Sequence, residues 1–330
     1  MDILGSRALV TGGTGSIGTE IVKGLVNRGA AQILVFSRDD TKQFYFRQEL
    51  GQDSCVDFMI GDVRDKDSLG RAFQLGFDLV IHAAAMKHVQ ISEENPAEVV
   101  KTNILGTQNV IDLANENSVD VLMTVSTDKA VSPSSIMGAS KFIAEKLTID
   151  GNKLGSTKHS CVRFGNVMGS RGSVIPTFID GIKNRGSIWI SDYNVTRFAM
   201  PISEAADLVL DATEECEGGE IFVLKMKAFS MEQLLRVFKM MPLSSNGFDI
   251  DVRGRVDAEK LHEELFTFEE SSRLWETDKH YIVYNQEEPN PLSGAKRSDS
   301  TVFSSKDAEM YSDDELLEII SSIAESMLVD

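Results

Sequence analysis

Short runs of apolar, β-branched residues recur through the first half of the chain, at Ala8 to Thr11, Ile33 to Ser37, Phe58 to Ile60, Leu79 to His82 and Val121 to Ser126. They lack the polar alternation of a half-exposed strand, which is the pattern of strands buried on both faces of a parallel sheet. Amphipathic stretches of helical period separate them. The chain therefore reads as repeated βαβ units. Such units make a doubly wound α/β sheet with helices on both faces and ligands outside the carboxyl ends of the strands.

A further strand is predicted from Ser160 to Phe164, after which Gly165, Gly169, Gly172 and Pro176 change the texture to loops. This divides the chain into residues 1–165, a dinucleotide-type domain to which some later segments return, and 166–330, a smaller α/β substrate lobe with a C-terminal tail. In the second part the pattern predicts helices at Ser203 to Glu214, Met231 to Met240 and Asp313 to Met327, and a strand at Ile221 to Leu224. From Gln286 to Ser305 the Pro, Ser, Asn and charged composition predicts an exposed loop.

Composition narrows the classes. A formal charge of −18 offers nothing to a phosphate backbone, so nucleic acid is not an expected partner. No run approaches the ~20 apolar residues of a membrane span, and the first residues lack a signal-peptide core. Cys55, Cys161 and Cys216 have no Cys-x-x-Cys pairing and are read as core residues of a reduced, cytoplasmic protein. His82, His88, His159, His262 and His280 have no metal-ligand spacing, and no metal is expected.

Gly12, Gly15 and Gly18, in Thr11-Gly12-Gly13-Thr14-Gly15-Ser16-Ile17-Gly18, follow the first predicted strand and open a helix. Glycines there form a tight turn, let the backbone approach a pyrophosphate and leave helix N–H groups free for the anion. In its βαβ context the loop specifies a Rossmann-type dinucleotide site that includes Thr14, Ser16 and Ile17. In NAD sites a carboxylate near the end of the second strand accepts from the ribose hydroxyls. Here the strand ends in Ser37-Arg38, with Lys42 following, which suits a 2′-phosphate. NADP is the expected cofactor, while Asp39 and Asp40 keep NAD open. Asp62-Val63 is placed at the adenine amine, and Ala83-Ala84-Ala85 let the backbone come close to the cofactor.

Ser126-Thr127-Asp128-Lys129 follows the fifth strand, and Met137-Gly138-Ala139-Ser140-Lys141 opens the next helix. Taken alone, Asp128-Lys129 is an acid–base pair or a solvated turn. The order of the glycine loop, Gly61 to Asp65, Ala83 to Lys87, Ser126 to Ala130 and Met137 to Lys141 resembles the extended short-chain dehydrogenases/reductases. Among these it resembles the UDP-N-acetylglucosamine 4,6-dehydratases. Arg163 to Pro176, Thr196-Arg197-Phe198, Gly218 to Ile221 and Glu259 to Glu263 extend the resemblance to about residue 285.

The resemblance implies a cycle in which C4 of the sugar is oxidised, water is eliminated across C5 and C6, and the hydride returns to C6. It makes Asp128 the acid for the C6 hydroxyl and Lys129 the base at C5, with coupled protonation because burial and an adjacent carboxylate pull a lysine in opposite directions. Most of these enzymes carry tyrosine four residues before the lysine; Met137 stands there instead, as in some dehydratase branches. Lys141 remains to anchor the nicotinamide ribose. Thr127 faces the C4 oxygen, and a relay from Thr127 to Lys129 or water is the expected route for the C4 proton. Asn103, Val167 and Lys87 complete the implied cofactor set. Lys87, Asn166, Arg171, Val174, Thr196, Arg197, Glu259 and Arg255 form the implied substrate set, Arg255 being a displaced match.

These features predict a C5-inverting UDP-N-acetylglucosamine 4,6-dehydratase that feeds a surface or protein glycan and works as a homo-oligomer. A UDP-sugar 4-epimerase or reductase, and a non-catalytic NADP-sensing protein, are the alternatives.

Overall fold

In the computed structural model, which describes residues 1–51, 54–285, 289–300 and 303–329, the six early strands are β1 (Arg7–Thr11), β2 (Gln32–Ser37), β3 (Val56–Ile60), β4 (Leu79–His82), β5 (Val121–Val125) and β6 (Lys158–Arg163). They lie side by side in the order β6-β5-β4-β1-β2-β3, all parallel. This is a Rossmann-type sheet. The order reverses between β1 and β4, so the crevice of the fold opens where Thr11 lies beside His82. Val10, Val35, Ile81 and Met123 are buried within the sheet, which is why their runs show no polar alternation.

The chain then leaves the sheet to form β7 (Asn166–Met168), the helix Val174–Arg185, β8 (Ser187–Ile190) and β9 (Thr196–Pro201). The helix Ile202–Glu215 comes back to pack on the helix Ser16–Asn27, and β10 (Glu220–Leu224) pairs in parallel with β6. The strand expected in the second lobe is thus part of the first sheet. Ile221, Phe222 and Val223 are buried there between layers.

Next come β11 (Lys227–Ser230), β12 (Asp249–Val252), β13 (Leu274–Glu276), β14 (His280–Tyr284) and β15 (Lys296–Arg297). β11, β9 and β7 make a small sheet and β12 pairs with β8, while β14, β13 and β15 extend the large sheet beyond β10 to ten strands. The segment expected to be an exposed loop, 286–305, is partly ordered against the body. Lys296–Arg297 form an edge strand and Ser305 is buried, whereas residues 286–288, 301 and 302 lie outside the described residues.

The lobe has its own apolar core, in which Ile179, Phe229 and Phe238 meet Leu316 and Ile320 of the helix Asp313–Val329. The C-terminal helix therefore packs on its own chain. The buried Arg163 guanidinium on β6 holds two carboxylates, Glu145 (2.7 Å) and Glu270 (2.9 Å), and also donates to the carbonyl of Leu265 (2.9 Å). Cys161 and Cys216 sit in the main core, and burial pushes both thiols up.

Candidate active site

Gly12 has φ +70°, and a Cβ there would stand 2.6 Å from the backbone nitrogen of Ala84. The glycine loop is therefore pressed onto the Ala83–Ala84 backbone, and the close approach predicted at these alanines is made to the loop itself. A Cβ at Gly18 would collide with the carbonyl of Gly12. The helix begins at Ser16 after Gly15 with no side-chain cap, which leaves its first N–H groups for an anion. A dinucleotide pyrophosphate fits this cradle. Beneath it, His82 bridges Thr11 Oγ1 (2.7 Å) and Thr107 Oγ1 (3.0 Å), and burial with Lys141 nearby lowers it to about 3, so it is a neutral spacer.

The ribose corner is more occupied than the sequence suggested. Ser37 Oγ accepts from Thr14 Oγ1 (3.1 Å) and Gln43 Nε2 (3.0 Å) and so braces the loop. Asp39 caps the helix Asp40–Leu50 by accepting from the Lys42 N–H (2.9 Å), and its carboxylate pairs with Lys42 Nζ at 2.8 Å. Arg38 is exposed, 3.5 Å from Asp62. Asp62 accepts from Arg64 (2.6 Å), so its carboxylate is not free for adenine, and the Val63 side chain is core. Asn103, in a wide helical turn, accepts from the Met86 N–H (2.8 Å) and donates to Met86 O (3.0 Å) and Ser140 Oγ (2.9 Å). It positions the Ala83–Lys87 segment rather than reaching into the cleft.

Lys87, placed with both cofactor and substrate, and Arg171, placed on the substrate side, meet beside the glycine loop. Arg171 donates its guanidinium to Thr14 O and its N–H to Ser16 Oγ (3.0 Å), and Lys87 Nζ donates to Arg171 O (2.9 Å). Burial, with Arg171 adding to it, pulls Lys87 below its ordinary value.

At the carboxyl end of β5, Asp128–Ala130 form a 3₁₀ turn. It is not a solvated turn, because Asp128 is fully buried and Lys129 Nζ donates to Asp128 Oδ1 (3.0 Å) and Asn166 Oδ1 (3.1 Å). Glu263 Oε1 lies 3.7 Å from the same ammonium. Burial, reinforced by Glu263, raises the Asp128 carboxyl. For Lys129, burial favours the neutral amine, but the Asp128 and Glu263 carboxylates outweigh it and raise the ammonium. Asp128 Oδ2, Glu263 Oε2 and Ser126 Oγ are buried without a protein partner, so this corner is unfilled by the chain alone.

Thr127 Oγ1 donates to Asp128 Oδ1 at 2.9 Å. Thr127 Oγ1 also accepts from the Lys129 backbone N–H (3.4 Å), and it meets the Lys129 ammonium through the shared carboxylate oxygen. The helix Ile136–Asp150, capped by Ser135, sets its Gly138 against the carbonyl of Lys129. Met137 is buried at its start. Lys141 donates to Val125 O (2.6 Å), and burial lowers it to about 8.

A cavity of about 470 Å³ opens beside this corner, lined among others by Asn166, Val174, Phe178, Trp189, Arg197, Arg253 and Glu259. A second, of about 280 Å³, shares Trp189, Arg197 and Glu259 and reaches Lys129 and Glu263. Arg197 is paired with Glu259 at 2.8 Å instead of standing free. Thr196 lies outside the cleft's chemistry, its hydroxyl bonded to His262 Nδ1 (2.8 Å) and Ser305 Oγ (2.7 Å). Arg255 is exposed and lines neither cavity, whereas Arg253 does, its guanidinium 5.3 Å from the Trp189 ring centroid. Trp189 and Arg253 were not singled out from sequence, the paired arginines around Gly254 being the available signal for Arg253; Glu263 lay within the quoted Glu259 to Glu263 stretch but was given no role.

Residues 8–285 match the family described as polysaccharide biosynthesis protein. A Methanocaldococcus jannaschii protein described as an uncharacterized membrane protein is 42% identical over 96% of this chain and 95% of its own. No helix among the residues described here is long and apolar enough to cross a membrane. A Campylobacter jejuni serotype O:2 protein named UDP-N-acetylglucosamine 4,6-dehydratase (inverting) is 38% identical over 95% of this chain and 96% of its own. A Rickettsia rickettsii UDP-glucose 4-epimerase is 39% identical over 83% and 82%. The solved structure of Pen from Bacillus thuringiensis, 35% identical, superposes with a TM-score of 0.92 over 98% of this chain and 99% of that one. The chain belongs to the polysaccharide biosynthesis protein family.

Proposed function

We propose that this chain is an NADP-dependent UDP-N-acetylglucosamine 4,6-dehydratase, a hydro-lyase that inverts C5 and supplies a UDP-4-keto-6-deoxy-N-acetylhexosamine to surface or protein glycan synthesis. The observation that carries the reading is the buried Asp128–Lys129 pair, 3.0 Å apart at the carboxyl end of β5. The inverting dehydratase relative aligned over nearly the whole chain supports it. Rossmann folds of this kind hold a nicotinamide dinucleotide between the glycine loop and the switch point. The exposed Arg38, with Asp39 used as a helix cap, favours NADP.

A bound nicotinamide accepts a hydride from C4 and returns it to C6. The chain's own residues move protons. Thr127 bridges the C4 hydroxyl to Asp128 Oδ1, so the proton leaving C4 reaches the carboxyl that later protonates the C6 oxygen as water departs. Once Asp128 is neutral it no longer holds the charge on Lys129, whose ammonium then gives a proton to solvent and becomes the amine that takes the C5 proton. Asn166 holds Lys129 in place, and Lys141, anchored on Val125 O, borders the ribose. Lys87 and Arg171 close over the phosphates, while Arg253 and Trp189 face the nucleotide end of the substrate. In this reading the enzyme is a cytoplasmic homo-oligomer with a dinucleotide domain at 1–165 and a substrate lobe at 166–330.

The test is proton NMR of UDP-N-acetylglucosamine with the protein in deuterated water, with NADP in one sample and NAD in another. A new methyl signal with deuterium at C5 is the expected result, and the ring couplings report inversion. Formation of UDP-N-acetylgalactosamine with no methyl signal would instead support 4-epimerisation, the second reading, which the Rickettsia relative favours. Asp128 argues against it, since epimerisation at C4 has no need of an acid at C6.

A further inference from the structure

Glu263 faces Lys129 from a segment far from Asp128 in sequence. Its Oε1 lies 3.7 Å from Lys129 Nζ and 3.9 Å from Arg197 Nε, its side chain is 4% exposed, and Oε2 is buried without a partner. Its N–H donates to Ser305 Oγ at 2.9 Å, which fixes the backbone beside the small sheet.

The charges around Lys129 form a short inventory. Asp128 comes from its own turn, Arg197 from β9, and Glu259 and Glu263 from the segment before the helix Phe268–Ser271. On that segment Lys260 is bound to Val131 O (2.6 Å) and lies 3.9 Å from Glu264, and His262 is bound to Thr196. Arg197 is paired with Glu259 at 2.8 Å. Two buried carboxyl groups thus confront one ammonium. An uncompensated buried anion is costly, so the presence of one carboxylate favours proton uptake by the other.

We propose that Glu263 is a positioning residue of this centre, the second carboxyl group on Lys129, and that its charge sets the protonation of the Asp128–Lys129 pair. Asp128 is the member whose proton affinity is raised, since it is wholly enclosed and lies beside Glu263. A carboxylate of ordinary acidity is a poor proton acceptor near neutral pH; one lifted by a neighbouring anion both takes and returns a proton there. Asp128 can then do what a tyrosine at position 137 would otherwise do. The effect on turnover rests on the dehydratase reading, whereas the effect on protonation does not.

The experiment is a ¹³C NMR titration of aspartate-labelled protein without substrate, with Asp128 assigned by Asp128→Asn, in wild type, Glu263→Gln and Glu263→Asp. Asp128 is expected to titrate above the ordinary carboxyl range and to fall by about one unit in Glu263→Gln. The fall should be smaller in Glu263→Asp, which keeps the charge and covers the case in which the glutamine variant does not fold. In the same proteins the acid limb of kcat, which reports ionisation of the Asp128 carboxyl that receives the C4 proton, should move to lower pH by the same amount. KM should be unchanged. An Asp128 midpoint indifferent to both substitutions would overturn the proposal, as would a uniform loss of kcat with no movement of that limb. An Asp128 shift in a wild-type protein that forms no 6-deoxy product would leave the proposal standing and remove the dehydratase reading.

Discussion

Gly138 lies against the carbonyl of Lys129 so closely that any Cβ there would collide with it. The helix carrying Met137 and Lys141 is thereby seated on the turn carrying Asp128 and Lys129. Gly138→Ala forces the two apart, and a displacement of about an ångström at reacting groups costs on the order of 100-fold in rate. The expected outcome is that loss in kcat with cofactor affinity kept, measured by turnover beside a cofactor titration. Undiminished kcat would mean that the seating has no part in catalysis.

Thr127 donates to Asp128 Oδ1, so removing its hydroxyl cuts the route from the C4 oxygen to the carboxyl. Thr127→Val is expected to lower kcat by about 100-fold or more, and Thr127→Ser to restore most of it. Single-turnover reduction of the cofactor isolates the C4 step; equal rates in wild type and Thr127→Val would rule the threonine out.

Arg38, exposed at the end of β2 and 3.5 Å from Asp62, is the cation that meets the 2′-phosphate in the proposed NADP complex. Arg38→Ala is expected to weaken NADP by roughly tenfold or more, the worth of a charge-assisted contact, and to leave NAD nearly unchanged. Calorimetric titration with each cofactor decides this. Equal losses for both would point to adenine stacking instead.

Arg163 holds Glu145 and Glu270 in the interior. Arg163→Met strands two buried carboxyls and is expected to destabilise the protein by about 3–5 kcal/mol. The pH dependence has a definite sign. Burial alone would raise Glu270, but Arg163 prevails and lowers it, so its contribution is present above the unfolded glutamate value and lost as pH falls through the folded one. The gap in unfolding free energy between wild type and variant should therefore narrow on acidification, as followed by urea titrations near pH 7 and near pH 4. A gap that stays constant would show that Arg163 contributes by packing alone.

The six parallel strands and the glycine loop could be read along the chain because each leaves a local mark: an unbroken apolar run, or glycines at a strand-to-helix turn. The Asp128–Lys129 pair could be placed for the same reason. What escaped is long-range. β10 looks like any short apolar strand, and only its pairing with β6 reveals its sheet. Glu263 sits in an ordinary charged stretch until folding brings it to Lys129, and Thr196 looks available until His262 and Ser305 occupy its hydroxyl. Side chains such as Ser37, Asp62 and Asn103 spend much of their hydrogen-bonding capacity on the protein itself, which no local pattern announces.

The route of the chain has a mechanical consequence. It quits the large sheet after β6, lays down β7 to β9 and the first helix of the lobe, and re-enters the same sheet as the immediate neighbour of β6. A body sewn to its frame at both ends has no single hinge on which to swing. Melting should therefore release the large sheet and the lobe together, in one cooperative step.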